Sequence, residues 1–113
     1  MDCIFCRIAA GEIPADVVFQ DADLVAFRDL HPQAPKHILI VPRTHIASMN
    51  EVTAQHQGLL GKLLLVAKKL AEQEHIAAKG YRLTLNNGPD AGQVVPHLHL
   101  HLLGGQRLDD QMC

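Results

Sequence analysis

The chain has 113 residues, of which 48% are hydrophobic and 19% charged, and this length and composition fit one globular domain with its own core. Ten lysines and arginines against twelve acidic residues leave a net charge of −2, which argues against a non-specific nucleic-acid-binding protein. No apolar run approaches the ~18 residues of a membrane span, no signal-peptide pattern opens the chain, and the odd count of three cysteines favours a reducing, cytoplasmic location.

Apolar periodicity predicts seven elements in chain order. They are a helix over 3–10, strands over 17–20, 24–27 and 37–41, a long helix over 54–75, a strand over 81–85 and a last strand that begins at 97. Gly11 is suited to end the first helix, Pro42 stops the third strand, and Thr53 is suited to cap the long helix. Because the order is not a βα repeat, it predicts an α+β fold with an antiparallel sheet packed on the long helix.

The last predicted strand alternates three histidines with three leucines and then reaches two glycines. A strand has a side-chain period of two, so His97, His99 and His101 are expected to share one face. The intervening leucines share the opposite face and can enter the core. Burial therefore explains the leucines, whereas an ordinary polar sheet face does not require an imidazole at every position.

Two chemistries can use this row of imidazoles. Two histidines at His-x-His spacing can offer two nitrogens to one metal ion, which would make the chain a zinc hydrolase. Alternatively, one neutral imidazole attacks phosphorus while its neighbours orient it and stabilise the developing charge. His99 is the central residue and therefore the natural nucleophile, and His101 could bind a phosphate oxygen or protonate the leaving group.

The loop before the histidines is suited to phosphate binding. Its segment 92–95 could aim main-chain N–H groups at phosphate oxygens, and Gly92 allows a ligand to approach the backbone closely. Asn86, at the end of the preceding strand, either contacts substrate or only caps a turn. Gly88 and Gly92 are explained equally well as turn residues.

The histidine motif at 97–103 stands among several other short motifs. They are Cys-Ile-Phe-Cys at 3–6, Gly-Glu-Ile-Pro at 11–14, Ala-Phe-Arg-Asp at 26–29, Pro-Gln-Ala-Pro at 32–35, the segment 37–46, Gly-Gln at 92–93 and Leu-Gly-Gly at 103–105. In this order and spacing they resemble the histidine triad (HIT) superfamily, in particular its Hint-like nucleotide-binding branch. The resemblance runs from about residue 3 to residue 105 and implies one HIT domain over 1–113, with 106–113 as a C-terminal tail.

The resemblance implies a fold, an assembly and an activity. The fold is HIT-like, with about five strands, one long and one short helix, and a sheet that continues across a homodimer. The activity is hydrolysis of purine nucleoside 5'-phosphoramidates and related adenylates at the P–N bond. His99 would form a covalent nucleotidyl-histidine intermediate as the amine leaves, and water would then release the nucleoside monophosphate. The alternatives are a dinucleoside polyphosphate hydrolase and a nucleotide-binding scaffold protein with incidental catalysis.

The resemblance also implies roles for individual residues. His101 would contact the phosphate, His37 would support the histidine cluster that includes His97, and Asp29 would accept hydrogen bonds from the ribose hydroxyls. The expected substrate-binding residues are Asp29, Leu30, Asn86, Gly92, Gln93, Val94, Ile4, Phe5, Ile8, Phe27 and Leu39. The apolar members of this set, taken singly, are explained equally well by core packing.

The sequence departs from the family pattern at three places. Val94 stands where many relatives have serine, so a hydroxyl that could assist the leaving group is missing, although the main-chain N–H remains. Pro96 stands where an aromatic residue is common. The tail after Gly105 lacks the Trp-Pro-Pro-Gly ending of animal relatives. We therefore expect phosphate binding to persist, whereas the sequence leaves the leaving-group preference open.

Cys3 and Cys6 have the spacing of a zinc-binding pair. In some members of the superfamily such a pair is completed by histidines, and the resemblance places those ligands at His45 and His97. The alternative is two reduced cysteines on a short helix, with at least one in the core. A bound zinc would be structural, and no cofactor is expected to be required for catalysis.

Overall fold

The computed structural model describes residues 3–109, which form a five-stranded antiparallel sheet and two α-helices. The helices are α1 (Ile4–Ala9) and α2 (Gln57–Gln73), and the strands are β1 (Val17–Gln20), β2 (Leu24–Arg28), β3 (Lys36–Pro42), β4 (Tyr81–Thr84) and β5 (Leu100–Gly104). The strand order is β1-β2-β3-β5-β4, and every pair is antiparallel. The predicted α+β architecture is confirmed. Within 3–109, no helix is long and apolar enough to cross a membrane.

The strand that carries the histidines is shorter than their alternation predicts. β5 begins at Leu100, so His97 and His99 precede it and the predicted start at 97 is wrong. The reason is that the Leu98 N–H donates to the Ile46 carbonyl at 2.6 Å, outside the strand ladder. The side chains nevertheless alternate as predicted, because the three leucines are buried in the core between the sheet and α2.

The long helix begins with a separate turn. Thr53 caps a 3-10 turn at Ala54–His56, in which the Thr53 side chain accepts from the Gln55 N–H, and α2 follows directly. The buried side of α2 packs on the sheet through Leu63, Val66, Ala67, Leu70 and Ala71. Leu64 of the same helix is exposed.

A second, smaller apolar cluster lies on the other face of the sheet, where α1 covers part of it. Phe5 of α1 packs there with Val25 and Phe27 of β2 and Leu39 of β3. Arg43 fixes the end of α1, because its guanidinium donates to the Ala9 carbonyl at 2.6 Å. The helix thus leaves open the part of this face on which the histidines lie.

Candidate active site

Three imidazoles, those of His37, His99 and His101, meet on the sheet face beside α1. His37 on β3 faces Leu103, and His101 on β5 faces Leu39, so both imidazoles project from the same side of the sheet. His37 Nε2 and His101 Nδ1 are 2.9 Å apart, and the ring centres of His99 and His101 are 4.9 Å apart. The structure therefore brings together the imidazoles of three histidines that the sequence suggested for catalysis, His37, His99 and His101. The fourth, His97, contacts His99 through its main-chain carbonyl, and its own ring lies beside Cys3.

His99 is held in the form that a nucleophile requires. Its Nδ1 lies 2.7 Å from the main-chain carbonyl of His97, a group that can only accept, so Nδ1 carries the proton. The neutral ring then has its lone pair on Nε2. The side chain is only 8% exposed, contacts the edge of Phe5 and lines a cavity. Little reorganisation is needed before such an imidazole attacks an atom in that cavity.

A chain of hydrogen bonds fixes the proton position on His37 and His101. The Gln33 N–H donates to His37 Nδ1 at 3.0 Å, so His37 carries its proton on Nε2. That Nε2–H donates to His101 Nδ1, and the neutral His101 ring must carry its own proton on Nε2. Burial, together with neighbouring His99 and His37, lowers the pKa of His101 to about 4. Burial also lowers the pKa of His37, although Asp29 opposes this effect.

A cavity of about 500 Å³ opens beside His99 and His101. Its walls are mainly apolar, as a site for a nucleobase requires. Ten of the eleven expected substrate-binding residues line it: Ile4, Phe5, Ile8, Phe27, Asp29, Leu30, Leu39, Asn86, Gly92 and Val94. Sequence analysis missed further lining residues, including Ile13, Pro14, Ala15 and Gln33, because these belong to loops that give no periodic signal.

Gln93 is the expected substrate contact that the structure places elsewhere. Its side chain is not among the cavity-lining residues, and its amide is used by the main chain. Gln93 Oε1 accepts from the Gly88 N–H at 2.8 Å, and Nε2 donates to the carbonyls of Ala47 at 2.7 Å and Val95 at 3.1 Å. In the structure, these bonds make Gln93 a residue that shapes the loop before the histidines, and its contact with substrate stays a prediction.

That loop presents unpaired main-chain donors to the cavity. Gly92 adopts φ 83°, a left-handed conformation in which a side chain would be strained, and it turns the chain toward Val94. Within residues 3–109, the N–H groups of Val94 and Val95 have no hydrogen-bond acceptor. The Val94 side chain is 88% exposed. Two free N–H groups next to His99 can receive the oxygens of a phosphate.

Asp29 lies at the rim of the same cavity, just after β2. Its Oδ1 accepts from the His31 N–H at 2.8 Å, and its Oδ2 is 3.5 Å from His37 Nε2. A carboxylate offers about four acceptor positions. Asp29 therefore retains acceptor capacity for a sugar diol while its orientation is fixed from two sides.

A second cluster, at the N-terminal end of α1, has the composition of a zinc site. The ligand atoms of Cys3, Cys6, His45 and His97 all lie within 4.8 Å of one another. Cys3 Sγ and His97 Nδ1 are 3.3 Å apart, and Cys6 Sγ and His45 Nδ1 are also 3.3 Å apart. Tetrahedral zinc with bonds of about 2.0–2.3 Å needs ligand atoms at roughly such separations. His97 Nε2 donates to the Pro42 carbonyl at 2.8 Å, which leaves the Nδ1 lone pair for a metal.

A third group, formed by Asp29, His37 and His101, has ligand atoms equally close together but does not fit a metal. The Gln33 N–H occupies the lone pair of His37 Nδ1, so His37 Nε2 must carry the proton and cannot ligate. This group is a hydrogen-bonded relay. The zinc hydrolase alternative, which needs the triad itself as a metal site, gains no support from this geometry.

Comparison with known proteins identifies the family to which this histidine cluster belongs. A family model described as the HIT domain matches residues 10–108. The chain belongs to the HIT domain family. The resemblance inferred from the short motifs is thus confirmed over nearly the whole chain.

Individual relatives match over most of their length. The purine nucleoside phosphoramidase of Escherichia coli K12 is 51% identical over 112 residues, which cover 99% of this chain and 94% of the relative. A solved HIT family hydrolase from Legionella pneumophila superimposes with a TM-score of 0.94 at 52% identity, covering 96% of each chain. A zinc-bound histidine triad family protein from Mycobacterium smegmatis superimposes with a TM-score of 0.79 at 28% identity, covering 100% of this chain and 81% of that chain.

Proposed function

We propose that this protein hydrolyses purine nucleoside 5'-phosphoramidates and related adenylates at the P–N bond. The observation that carries the proposal is the tautomer of His99, whose Nδ1–H is held by the His97 carbonyl while the ring lines a cavity of nucleotide size. The phosphoramidase name of a relative with 51% identity supports the same substrate class.

The reaction takes two steps at phosphorus. His99 Nε2 attacks, and the P–N bond breaks as the departing nitrogen takes a proton from solvent, while neutral His101 keeps its proton and donates a hydrogen bond from Nε2–H to the phosphoryl group. Water then attacks the nucleotidyl-histidine, so the N–P bond to His99 breaks, the nucleoside monophosphate is released, and the proton lost by the water returns to solvent. The N–H groups of Val94 and Val95 stabilise the charge that develops on the phosphoryl oxygens, and Asp29 orients the ribose.

Hydrolysis of an adenosine 5'-phosphoramidate with a fluorescent amine tests the proposal. We expect wild type to turn over with and without chelator, and His99→Ala to lose activity. His75→Asn is the matched control, because His75 is exposed and its φ of 62° is tolerated by asparagine. Activity that chelator abolishes in a folded protein would favour a zinc hydrolase, and no turnover in any sample would contradict the proposed activity.

The cluster of Cys3, Cys6, His45 and His97 is, in this proposal, a structural zinc site. A bound zinc would supply a rigid link between α1 and the segment before β5, and it would take no part in bond cleavage. Burial and neighbouring Cys3 raise the pKa of the Cys6 thiol in the absence of metal, and metal binding would deprotonate it. We expect about one zinc per chain in wild type and less in Cys6→Ser, measured by elemental analysis. Equal zinc contents would refute the assignment.

The homodimer implied by the family resemblance is also part of this proposal. β4 is an edge strand, so the outer side of Tyr81–Thr84 is available to another strand. Leu65 is 69% exposed on α2, where Gly58 and Gly61 would let a second helix approach closely. We expect light scattering to give a dimer for wild type and for the control Glu51→Lys, an exposed position outside α2 and β4, and a monomer for Leu65→Asp. A monomeric wild type would refute the dimer.

A further inference from the structure

His97 belongs both to the zinc cluster (Cys3, Cys6, His45 and His97) and to the reaction centre. Its imidazole Nδ1 lies 3.3 Å from Cys3 Sγ and 3.2 Å from His45 Nδ1. Its main-chain carbonyl accepts the hydrogen bond from His99 Nδ1–H at 2.7 Å, the bond that leaves the His99 lone pair on Nε2. A change at the zinc cluster therefore has a route to the nucleophile that passes through one residue.

The main chain around His97 is held by bonds outside the strand ladder. β5 begins three residues later, at Leu100. The His97 N–H donates to the Val95 carbonyl at 2.8 Å. The next N–H, that of Leu98, donates to the Ile46 carbonyl at 2.6 Å. The position of the His97 carbonyl therefore depends on the segment that follows β3, to which Ile46 belongs.

The zinc cluster ties the same two segments together through side chains. His45 directly precedes Ile46, the acceptor for Leu98, and its Nδ1 faces the Nδ1 of His97. On the other side of the ring, His97 Nε2 donates to the Pro42 carbonyl at 2.8 Å. An ion held by His45 and His97 would restrain both segments, because a metal and a hydrogen bond to the second ring nitrogen together fix the orientation of a histidine. The restraint would extend to the His97 carbonyl.

The zinc cluster can act on the reaction only through other residues. None of its four members is among the described residues that line the cavity of about 500 Å³ beside His99. A second route runs through α1, because Phe5 lines the cavity and its ring centre is 5.9 Å from that of His97 and 5.1 Å from that of His99. A looser α1 would change the cavity wall and the affinity for nucleotide, whereas a looser His97 carbonyl would change how His99 is held.

We propose that the zinc cluster positions the nucleophile: an ion bound there fixes the His97 carbonyl and, through it, the Nδ1–H tautomer of His99. His97 is the positioning residue, and Cys3, Cys6 and His45 act through it. The inference rests on the proposed role of His99 and on zinc as the structural ion, and it adds that zinc occupancy sets the rate of the reaction. Removal of zinc should therefore slow turnover without abolishing it.

The tautomer of His99 is measured by ¹⁵N NMR without substrate, in protein loaded with Zn²⁺ and in protein stripped by a chelator. We expect Nδ1 to carry the proton in the loaded protein and both nitrogens to share it in the stripped protein. Cys6→Ser and His45→Gln in excess Zn²⁺ should resemble stripped wild type. Val66→Ala is the control and should keep the wild-type tautomer, because it weakens the core between the sheet and α2 without altering the zinc cluster.

Steady-state kinetics with the fluorescent-amine substrate separate the two routes. Partial loss of one hydrogen bond should lower kcat by about 2- to 10-fold in stripped wild type and in Cys6→Ser. KM, and the Kd for AMP measured by calorimetry, should change by less than about twofold, because the cavity wall is retained. Adding Zn²⁺ to stripped wild type should restore kcat, and Val66→Ala should keep the wild-type kcat.

The outcomes separate this inference from the proposed function. Equal His99 spectra with and without Zn²⁺ would overturn it, as would a wild type that binds no Zn²⁺ or a Val66→Ala variant with the same tautomer change. A rise in KM with unchanged kcat would assign the effect to α1 and also overturn it. If no sample turns over the substrate, the proposed activity fails, and the NMR spectra still test the positioning. If stripped wild type unfolds, Cys6→Ser and His45→Gln supply the same comparison in folded protein.

Discussion

Replacing His37 tests whether the orientation of His101 depends on its neighbour. His37 is 4% exposed, accepts from the Gln33 N–H and donates to His101 Nδ1. His37→Leu has a similar volume but removes both hydrogen bonds. His101 then has no donor at Nδ1, and its ring is free to place the proton on either nitrogen.

The magnitude follows from the hydrogen bond that is lost. A buried polar group left without its partner costs about 1–3 kcal/mol. If that cost appears only when His101 Nε2–H must donate a hydrogen bond to the charge that develops in the transition state, kcat falls by about 5- to 150-fold while KM changes little. Loss of the Gln33 bond lowers the free energy of unfolding by a similar amount.

The assay uses steady-state kinetics with the fluorescent-amine substrate, together with ¹⁵N NMR of the imidazoles. His37→Gln is the informative partner variant, because its amide N–H can still donate toward His101 Nδ1, and it should recover part of the lost kcat. The NMR spectrum of wild type should show His101 protonated at Nε2. A folded His37→Leu variant with wild-type kcat, or a wild-type His101 protonated at Nδ1, would refute this reasoning.

Three further variants test the network around the site. Glu74→Gln breaks the pair of hydrogen bonds from Arg28 that lowers the pKa of Glu74 in the folded protein. The ion pair stabilises the fold above the usual carboxyl pKa, and this stabilisation is lost as pH falls through the folded-state pKa. Urea unfolding of the variant should therefore show a loss of ~1 kcal/mol at pH 7 that disappears in acid. Arg43→Met removes the cap on Ala9 and should lower the unfolding free energy by about 1–3 kcal/mol. Val94→Ser adds a donor at the cavity, and stopped-flow kinetics should show about 2- to 10-fold faster release of alkylamines.

Each variant has an outcome that contradicts its rationale. A pH-independent effect of Glu74→Gln would mean that the ion pair with Arg28 does not contribute to stability. An Arg43→Met protein as stable as wild type would show that α1 is fixed by its apolar contacts alone. Unchanged amine release in Val94→Ser would place the hydroxyl out of reach of the leaving nitrogen.

The sheet and the histidine face could be predicted from the sequence because both depend on local periodicity. Alternation of His and Leu determines which side chains face the core, whichever hydrogen bonds the backbone makes. The start of β5 could not be predicted, because it depends on a bond from Leu98 to Ile46, a residue 52 positions earlier in the chain. Exposure of Leu64 likewise depends on where α2 lies on the sheet.

The candidate site likewise contains residues that could be predicted from local motifs and residues whose contacts depend on the fold. Residues in recognisable motifs, such as Asp29 and Phe5, line the cavity as expected. The main-chain bonds of the Gln93 amide could not be predicted, because an amide suited to bind a ligand is equally suited to bind loop main chain. The relay from Gln33 to His37 could not be found from sequence, since it starts at a main-chain N–H that any residue except proline supplies.

The stereochemical course at phosphorus tests the central claim most directly. The substrate is an adenosine 5'-phosphoramidate with a chiral, isotopically labelled or thio-substituted phosphorus, hydrolysed by wild-type protein in ¹⁸O-labelled water. Attack by His99 followed by attack of water inverts phosphorus twice, so the account predicts net retention of configuration. Net inversion would mean that water displaces the amine directly and would contradict a covalent intermediate at His99.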